Sequence, residues 1–575
     1  MNLISRFHLS RDRSVTVANL VDELLRRNGN CEVSMEETGP RHLADLHAEV
    51  CALDAFLRRT VALTPGQPVA IYRTNTRHCF VWFLAIIRAG GIAVPLNPML
   101  TLSEVSRILS TSGTEILVTD RAVFDRNIVD RAALPVRIWI QSDDEPETLP
   151  GFLRSAPIAE CFPPTAIDPS ATVAVFHTSG TSGFPKGAAL SSRALLGARS
   201  SSVLAGLFLG SKDLALIALP WSHIMAVSIA LYGLMAGIRG CFLDRFDVPR
   251  VLDVVERFKV TAVVGVPTMF ARLVNSNPDA ARLRSVRVWL SASDHLPSEV
   301  RQRMRQYGAL MRLPFGRRIP PVLVNGYGMV ELGGLAMMGI EFSFLPGSGD
   351  LCFGVPPFHI RVADDNGHIV RSGQTGECQI RRRGLSPHYW KDSINKDAVS
   401  NNTTGASSMD SGATKSGAIK NDEARGGAIT NSASSNDTNS LLTADGWLRT
   451  GDLATRNRLG LIRLVGRMKD VIKSSGYSVY VRELEEAIAA HPAVARVAAF
   501  GLPHKEKGET PAAAVELHPG VHVGEDELIA WCRQNLAAYK APRQIWILAP
   551  GALPHNHTGK VLRRVLRDQY SEKTD

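Results

Sequence analysis

The chain has 575 residues, of which 45% are hydrophobic and 21% are charged, a composition typical of globular domains. This length allows about three or four folding units, and the composition excludes collagen-like, coiled-coil or wholly disordered chains. Lys and Arg number 65 against 55 Asp and Glu, and this net charge of +10 suits an anionic small ligand. The basic residues are scattered, so no nucleic-acid partner is indicated.

From residue 69 onward, short apolar runs alternate with helical patterns, which is typical of βαβ units and parallel sheets. The first run predicts strands at 69–72, 92–96 and 116–119, with helices at 78–88 and 103–110. After a proline-rich break at 161–164, a second run predicts strands at 173–176, 214–219, 262–266, 286–290 and 322–325. The two runs predict two stacked α/β subdomains.

After residue 331 the pattern changes to β structure. The segments 359–363 and 369–371 flank an Asn-Gly turn and predict a hairpin, and 377–381 extends this small β-subdomain. Residues 393–439 are polar and contain no aromatic side chain, which predicts a disordered surface insertion. Helices at 481–490 and 525–536, with strands at 494–500, 512–516 and 544–548, predict a small α+β domain.

The cysteines and the apolar segments indicate a cytoplasmic protein. The N-terminus lacks the apolar core of a signal peptide, and the longest apolar stretch, 214–235, contains Pro220 and His223. The eight cysteines occur singly, without a C-x-x-C pair or a Cys/His spacing typical of zinc sites. We therefore expect reduced thiols and no integral membrane segment. The oligomeric state is left open.

The clearest chemical signal is a loop rich in serine, threonine and glycine after the strand at 173–176. Its candidate residues are Thr178, Ser179, Gly180, Thr181, Ser182, Gly183 and Lys186. Glycines let backbone N–H groups approach an anion, hydroxyls add donors and the lysine adds charge, so the loop predicts a phosphate site. It is not a Walker A loop, which ends in Gly-Lys-Ser/Thr.

This loop resembles the phosphate loop of the adenylate-forming enzymes, the AMP-dependent synthetase and ligase family, and is most like the fatty acyl-CoA and aryl-CoA synthetases. Other segments resemble the remaining family motifs in the same order. They are the adenine and magnesium motif at 325–331, the ribose motif at 447–452, the hinge at 465–470, the turn at 475–477 and the terminal lysine motif at 554–560.

The resemblance implies a role for each motif residue. Tyr327 would stack on adenine, Glu331 would bind Mg²⁺ as a catalytic carboxylate, and Lys560 would be the catalytic cation. The other residues of the nucleotide and thiol sites would be Ser291, Asn325, Gly326, Gly328, Val330, Asp452, Arg467 and Gly476. Val330 departs from the family, which usually has a hydroxyl residue there, so we expect a slower first half-reaction.

The segment 219–223 resembles the part of the family in which a histidine or aromatic residue gates the acyl pocket. His223 is therefore a candidate catalytic gate. The following helix is apolar throughout, and no Asp or Glu occurs between 214 and 243. Adenylation domains for amino acids place an aspartate there, so its absence favours a fatty or aryl carboxylic acid. The chain length of that acid is left open.

The resemblance implies an α/β fold with a large N-terminal domain, 1–466, made of two stacked βαβ subdomains and a small β-subdomain. A small mobile α+β domain, 467–575, would follow as a lid. The implied activity uses ATP and Mg²⁺ to make an acyl adenylate and transfers the acyl group to coenzyme A. The alternatives are an acyl-AMP ligase that loads an acyl carrier protein, and a catalytically silent nucleotide- or lipid-binding relative.

Overall fold

The computed structural model describes residues 3–128, 131–141, 161–178, 186–315, 317–342, 348–383, 387–390, 441–474, 477–504, 508–555 and 561–571. The predicted insertion at 393–439 lies outside these residues. Residues 3–141 form α1 (Leu3–Arg11), α2 (Leu20–Asn28), β1 (Glu32–Glu36), β2 (Gly39–His42), α3 (Leu43–Arg59), β3 (Pro68–Ile71), α4 (Arg77–Arg88), β4 (Ile92–Pro95), α5 (Leu102–Ser112), β5 (Ile116–Thr119), α6 (Arg121–Asn127) and β6 (Ile138–Gln141).

Local sequence signals set the ends of these elements. At the start of α5, the Thr101 hydroxyl accepts from the Glu104 N–H, and the Glu104 carboxylate accepts from the Thr101 N–H over 2.8 Å. This capping box satisfies backbone donors that the first helical turn leaves unpaired. The helix ends at Gly113, whose φ of 64° suits a residue without a side chain.

The middle of the chain alternates strands and helices as predicted. It forms β7 (Thr172–Thr178), β8 (Lys186–Ser191), α7 (Ser192–Leu195), α8 (Ser201–Ala205), β9 (Leu214–Ile217), α9 (Ile224–Ala236), β10 (Arg239–Phe242), α10 (Val248–Phe258), β11 (Ala262–Gly265), α11 (Pro267–Asn275), β12 (Val288–Ala292), α12 (Ser298–Met304), β13 (Met311–Arg312), β14 (Arg318–Ile319), β15 (Val322–Met329) and β16 (Gly334–Glu341).

The rest of the chain contains the β-subdomain and the C-terminal domain. Its elements are β17 (Phe353–Gly354), β18 (His359–Ala363), β19 (Thr375–Arg381), β20 (His388–Tyr389), β21 (Leu448–Arg456), β22 (Ile462–Arg467), β23 (Ile472–Ser474), β24 (Tyr477–Val479), α13 (Val481–Ala489), β25 (Val494–His504), β26 (Gly508–Leu517), α14 (Glu525–Asn535), β27 (Gln544–Leu548) and α15 (Arg563–Ser571).

Two large mixed sheets confirm the predicted α/β architecture. The first has the order β20-β8-β7-β4-β3-β5-β6, and the second has the order β17-β16-β15-β12-β11-β9-β10-β1-β2. The strand at 173–176 was grouped with the second run in the sequence, but β7 lies in the first sheet beside β4. One hydrophobic cluster includes Ile71 and Phe176 of the first sheet and Ile217 and Val264 of the second, so it joins the two subdomains.

The smaller sheets form the β-subdomain and the C-terminal domain. Strand β18 pairs with β19, and Ile369 makes only an isolated bridge to Ala363. The predicted hairpin turn at 364–367 therefore forms, but 369–371 makes a single bridge instead of a full strand, and the main partner of β18 is β19. In the C-terminal domain, β24, β23, β26 and β25 form a sheet with β27 beside β26, as expected for a separate α+β unit.

The cysteines differ from expectation at one point. Cys51 of α3 and Cys161 form a disulfide, with Cα atoms 5.1 Å apart. The other six cysteines are free, so the expected reduced state is wrong for this pair alone. The pair is separated by 110 residues, and such a long-range contact leaves no spacing pattern in the sequence. Within the described ranges, no helix is long and apolar enough to cross a membrane.

Candidate active site

The candidate site begins where two parallel strands of the second sheet end. In β12 and β15, Ser291 is paired with Asn325, and Ala292 is paired with Gly326. Open α/β sheets bind ligands at the carboxyl ends of their strands. The Ser291 side chain is buried, and its hydroxyl has no hydrogen-bond partner among the described residues. A ligand beside Asn325 fits this site because it could satisfy that hydroxyl.

The end of β15 has a backbone that only small residues allow. The pairing of β15 with β16 shifts register between Tyr327 and Gly328, and such irregularities re-aim side chains next to functional sites. A Cβ atom on Gly328 would lie 1.9 Å from the Gly334 carbonyl oxygen. Gly328 is therefore required by the close approach of the two strands. At Gly326 an added Cβ atom would lie 3.0 Å from the Leu335 side chain, which is also a tight contact.

Tyr327, Asp452 and Arg467, three residues predicted to bind the nucleotide, lie together in the structure. The Tyr327 hydroxyl donates to Asp452 Oδ2 over 2.5 Å. Asp452 lies on β21 opposite Arg467 of β22, and Arg467 Nε is 3.3 Å from Asp452 Oδ1. Burial, and then the Asp452 charge, raise the pKa of Tyr327 well above its ordinary value, so the hydroxyl remains a donor. Each carboxylate oxygen of Asp452 is thus already engaged by a neighbouring side chain.

Glu331 lies in a short 3₁₀ turn directly after β15, and its side chain is buried. The Tyr389 hydroxyl donates to Glu331 Oε1 over 2.9 Å. Lys186 Nζ lies 5.1 Å from the centroid of the same tyrosine ring. Tyr389 therefore connects the carboxylate and the lysine, and sequence reasoning did not identify it. The signal that could have found it is a long-range one, the pairing of β20 with β8.

The predicted phosphate loop joins two neighbouring strand ends. Thr178 at the end of β7 is paired with Lys186 at the start of β8, and His177 is paired with Gly187. A Cβ atom on Gly187 would lie 2.8 Å from a Val175 methyl group, so glycine is needed there. Ser179, Gly180, Thr181, Ser182 and Gly183 lie outside the described residues, as does the side chain of Thr178.

His177 is the second-to-last residue of β7. Burial lowers the pKa of its imidazole to about 4. It is therefore neutral near physiological pH. Its Nδ1 is buried without a hydrogen-bond partner among the described residues. The sequence marked this histidine only as part of the motif, so its burial is a structural finding.

The candidate gate His223 caps the apolar helix α9. Its Nδ1 accepts from the Met225 N–H over 3.2 Å. Met225 in turn accepts from the Ser293 hydroxyl at 3.6 Å, which links the start of α9 to the loop after β12. Val330 packs against the hydrophobic cluster that contains Met225. The turn after β15 thus presents an apolar side chain to this core.

The C-terminal domain contacts the large domain through charged side chains. Arg482 Nη2 on α13 lies 3.4 Å from Asp350 Oδ1, and Glu486 Oε1 lies 3.0 Å from His295 Nε2. Burial lowers the pKa of His295, while the hydrogen bond from His295 lowers the pKa of Glu486 to about 2. Gly476 and Lys560, which were predicted for this domain, lie outside the described residues.

Comparison with known families decides the assignment. The model of the AMP-binding enzyme family matches residues 42–390, and the model of its C-terminal domain matches residues 483–560. The chain belongs to the AMP-binding enzyme family. This confirms the resemblance stated from the motifs. The first matched region contains the candidate residues from Thr178 to Glu331, the second ends at Lys560, and Asp452, Arg467 and Gly476 lie between the two.

Individual relatives match over most of this AMP-binding enzyme. A long-chain-fatty-acid–CoA ligase from Escherichia coli O157:H7 is 28% identical over 556 residues, which cover 91% of this chain and 89% of the relative. A methyl-dioxo-octahydroindenyl-propanoyl:CoA ligase from Rhodococcus jostii is 28% identical over 536 residues, 88% of this chain and 89% of the relative. ATP-bound MatB from Rhodopseudomonas palustris has the same fold, with a TM-score of 0.77 at 24% identity, over 98% of this chain and 100% of that chain.

Proposed function

We propose that the protein is an AMP-forming acid–thiol ligase. It reacts a carboxylic acid with ATP to give an acyl adenylate and pyrophosphate, and it then transfers the acyl group to coenzyme A. The observation that carries the proposal is a pair of contact sets on either side of the end of β15: Lys186, Tyr389 and Glu331 in one, and Tyr327, Asp452 and Arg467 in the other. Family membership and the relatives' names, which describe CoA ligases, support the same activity.

The nucleotide would lie across the ends of β12 and β15. Tyr327 would stack on adenine, with Ser291, Asn325, Gly326 and Gly328 around the base. Asp452 and Arg467 would bind the ribose. Each carboxylate oxygen has two lone-pair positions, so Asp452 can accept from a ribose hydroxyl while keeping its bond from Tyr327. The buried hydroxyl of Ser291 gives the base a polar neighbour.

The phosphates would be bound where β7 and β8 end. The loop residues from Thr178 to Gly183 would supply backbone and hydroxyl donors, and Lys186 would supply positive charge. Mg²⁺ would be held by Glu331, a buried carboxylate bonded to Tyr389, and when bound it neutralises charge between the phosphates. Val330 offers no donor to the α-phosphate, which agrees with its packing against the core.

The acid would be a fatty or aryl carboxylate. The helix α9 is apolar along its length, and the stretch 214–243 contains no carboxylate to pair with a substrate ammonium group. His223 holds the start of this helix and would gate the acyl pocket. The long-chain-fatty-acid–CoA ligases among the relatives favour a fatty acid.

The C-terminal domain, taken as 467–575 against a large domain of 1–466, would act as a mobile lid. Lys560 would neutralise charge shared between the carboxylate and the α-phosphate in the first half-reaction. Rotation about Asp470 would then withdraw Lys560 and bring Gly476 to the thiol tunnel. A cytoplasmic location remains part of this proposal, with coenzyme A as the acceptor and an acyl carrier protein as the alternative.

Pyrophosphate exchange into ATP with a panel of fatty, aryl and amino acids tests the proposal. We expect exchange with fatty or aryl acids, and we expect Lys560→Ala to lower it by orders of magnitude while ATP binding persists. Thioester formation with free coenzyme A, compared with a carrier protein, then identifies the thiol. Exchange with no acid of the panel, despite ATP binding, would instead favour a catalytically silent relative.

A further inference from the structure

A disulfide and a cluster of charged groups lie at the helices that cover the first sheet. Cys51 and His47 are one turn apart on α3, so they share a helix face. Cys161 belongs to a segment that we call the strap, residues 161–171, which leads into β7. The Cα atoms of Cys51 and Cys161 are 5.1 Å apart, and their sulfurs are bonded.

The two cysteines differ in access to solvent. Cys51 is buried, with 6% of its surface exposed, while Cys161 is exposed. The remaining cysteines are all free, and they are Cys31, Cys79, Cys241, Cys352, Cys378 and Cys532. The disulfide is thus specific to this pair, and Cys161 is its solvent-exposed residue. In reducing compartments, disulfides of this kind are usually transient and redox-active.

An arginine and a histidine lie beside the two sulfurs. Arg88 Nη2 donates to Cys161 Sγ over 3.2 Å. His47 Nε2 lies 4.0 Å from Cys161 Sγ and 3.6 Å from Cys51 Sγ. Asp22 pairs with both Arg88 and His47 and fixes their positions. Arg88 also pairs with Asp54 at 3.2 Å, so the positive group beside Cys161 is a guanidinium shared with two carboxylates, and its hydrogen bond to the sulfur favours the thiolate, the reactive form of the side chain.

The strap is held in place by bonds that do not involve sulfur. Arg88 Nη2 also donates to the Phe162 carbonyl oxygen over 2.7 Å, and Arg58 donates to the Pro163 carbonyl oxygen over 3.2 Å. The Arg58 guanidinium lies 5.4 Å from the centroid of the Phe162 ring. These contacts keep Cys161 beside Cys51 when the disulfide is open, so the bond can re-form without a search by the chain.

We propose that Cys51 and Cys161 are a reversible redox couple in which Cys161 is the thiol that reacts with hydroperoxides. The Cys161 thiolate attacks the terminal oxygen of a hydroperoxide, the O–O bond breaks, and the leaving alkoxide or hydroxide takes a proton. The resulting sulfenic acid is attacked by the Cys51 thiol, the S–S bond forms and water leaves. An external dithiol returns both cysteines to thiols and is itself oxidised to a disulfide.

The Cys51–Cys161 couple is connected through the backbone to the predicted phosphate loop. The strap runs directly into β7, whose last residue, Thr178, begins that loop. Oxidation attaches the first residue of the strap to α3, while reduction leaves the strap held by noncovalent contacts, among them those from Arg58, Arg59 and Arg88. We therefore expect backbone amides of 161–171 to exchange hydrogen faster in the reduced protein.

Thiol alkylation tests the chemistry without using the ligase activity. The full chain is reduced with dithiothreitol, desalted, treated briefly with iodoacetamide near neutral pH and analysed by peptide mass spectrometry. Cys161 should be alkylated at least about tenfold faster than Cys31, the partly exposed free cysteine that serves as the internal control. His47→Gln should slow alkylation of Cys161 several-fold and leave Cys31 unchanged.

Oxidation tests the couple itself. One equivalent of hydrogen peroxide should restore the Cys51–Cys161 cross-link, and in Cys51→Ser a dimedone adduct should accumulate on Cys161. A Cys161 no more reactive than Cys31 would overturn the proposal, as would a disulfide that dithiothreitol cannot open in the folded protein. Stoichiometric zinc binding by the reduced chain, with protection of both cysteines and His47 as ligands, would overturn it in favour of a metal site.

Discussion

Tyr389 contacts both Lys186, which would bind phosphate, and Glu331, which would bind Mg²⁺. Its hydroxyl donates to Glu331, while its ring lies under the Lys186 ammonium. A hydrogen bond to a charged group contributes about 1.5–3 kcal/mol, and losing it frees the carboxylate to rotate. The tyrosine is thus a positioning residue for Glu331.

Tyr389→Phe should raise the Mg²⁺ concentration needed for half-maximal pyrophosphate exchange by about tenfold, for ~1.4 kcal/mol. The phenylalanine keeps the aromatic ring over Lys186, so ATP binding without metal should change little. Tyr389→Leu removes the ring and the hydroxyl together, so it should weaken both Mg²⁺ binding and ATP binding. An unchanged Mg²⁺ dependence in Tyr389→Phe would show that Glu331 does not need this partner.

His177 gives the folded protein a sensitivity to acid. Burial lowers its pKa from 6.5 to about 4. Between these values the unfolded chain binds a proton that the folded chain does not, so the contribution of His177 is present above pH 6.5 and is lost as the pH falls. From pH 7 to pH 5 the loss is about 2 kcal/mol.

His177→Phe should remove this loss. We expect the free energy of unfolding of the variant to fall less than that of the wild type between pH 7 and pH 5, by about 2 kcal/mol in urea titrations. His368, whose side chain is 80% exposed, provides the control, and His368→Asn should follow the wild type. Parallel curves for His177→Phe and the wild type would mean that His177 titrates normally.

Among the elements, those with regular periodicity were predicted best. The strands β3, β4 and β5 are buried along their length, because helices cover both faces of the parallel sheet, and they read as short apolar runs. The short strands β1 and β2 were missed: β2 shows neither an apolar run nor an alternation, and β1 alternates over only five residues, of which Ser34 is the buried one. The pairing of β1 with β10, and of β2 with β1, is decided by tertiary contacts.

For the candidate site, local motifs predicted the residues of each segment but not every contact between segments. The motifs assigned Tyr327 and Asp452 to neighbouring parts of one nucleotide, while the hydrogen bond between them is a finding of the structure. In contrast, the position of Tyr389 depends on β20 joining β8 at the edge of the first sheet. The Cys51–Cys161 bond likewise joins α3 to a distant segment. Such contacts depend on how elements pack, and one sequence does not display them.

The polar stretch 393–439 separates β20 from β21 in the sequence. It contains no aromatic residue, so it has little apolar surface with which to offset the entropy of ordering. Replacing it with a short Gly/Ser linker should leave the melting temperature and the turnover close to those of the full chain. Thermal unfolding and thioester formation measure the two quantities. A large loss of either would show that the stretch packs against the enzyme or binds a ligand.

At the scale of the whole molecule, the described contacts hold the C-terminal domain in one orientation. Arg482 and Glu486 of α13 reach Asp350 and His295 of the large domain, and Arg482 also donates to the Leu464 carbonyl oxygen over 2.6 Å. Two proposed half-reactions would require two orientations of this domain. Contacts that form in only one orientation therefore stabilise that orientation of the domain relative to the other.

Removing the contacts should release the lid without unfolding either domain. In Arg482→Ala and Glu486→Ala, tryptic cleavage beside Lys469 in the hinge should become up to about tenfold faster, which corresponds to ~1.4 kcal/mol of lost docking energy. The ratio of the two half-reaction rates should change by a similar factor. Glu483→Ala is the matched control, because Glu483 lies on the same helix but pairs with Lys540 inside the C-terminal domain at 2.5 Å.

A double-mutant cycle between Glu486 and His295 should give a coupling of about 0.5–3 kcal/mol in the cleavage assay. Equal cleavage rates in wild type and all three variants would mean that these ion pairs do not hold the lid, and that packing around the hinge sets its orientation.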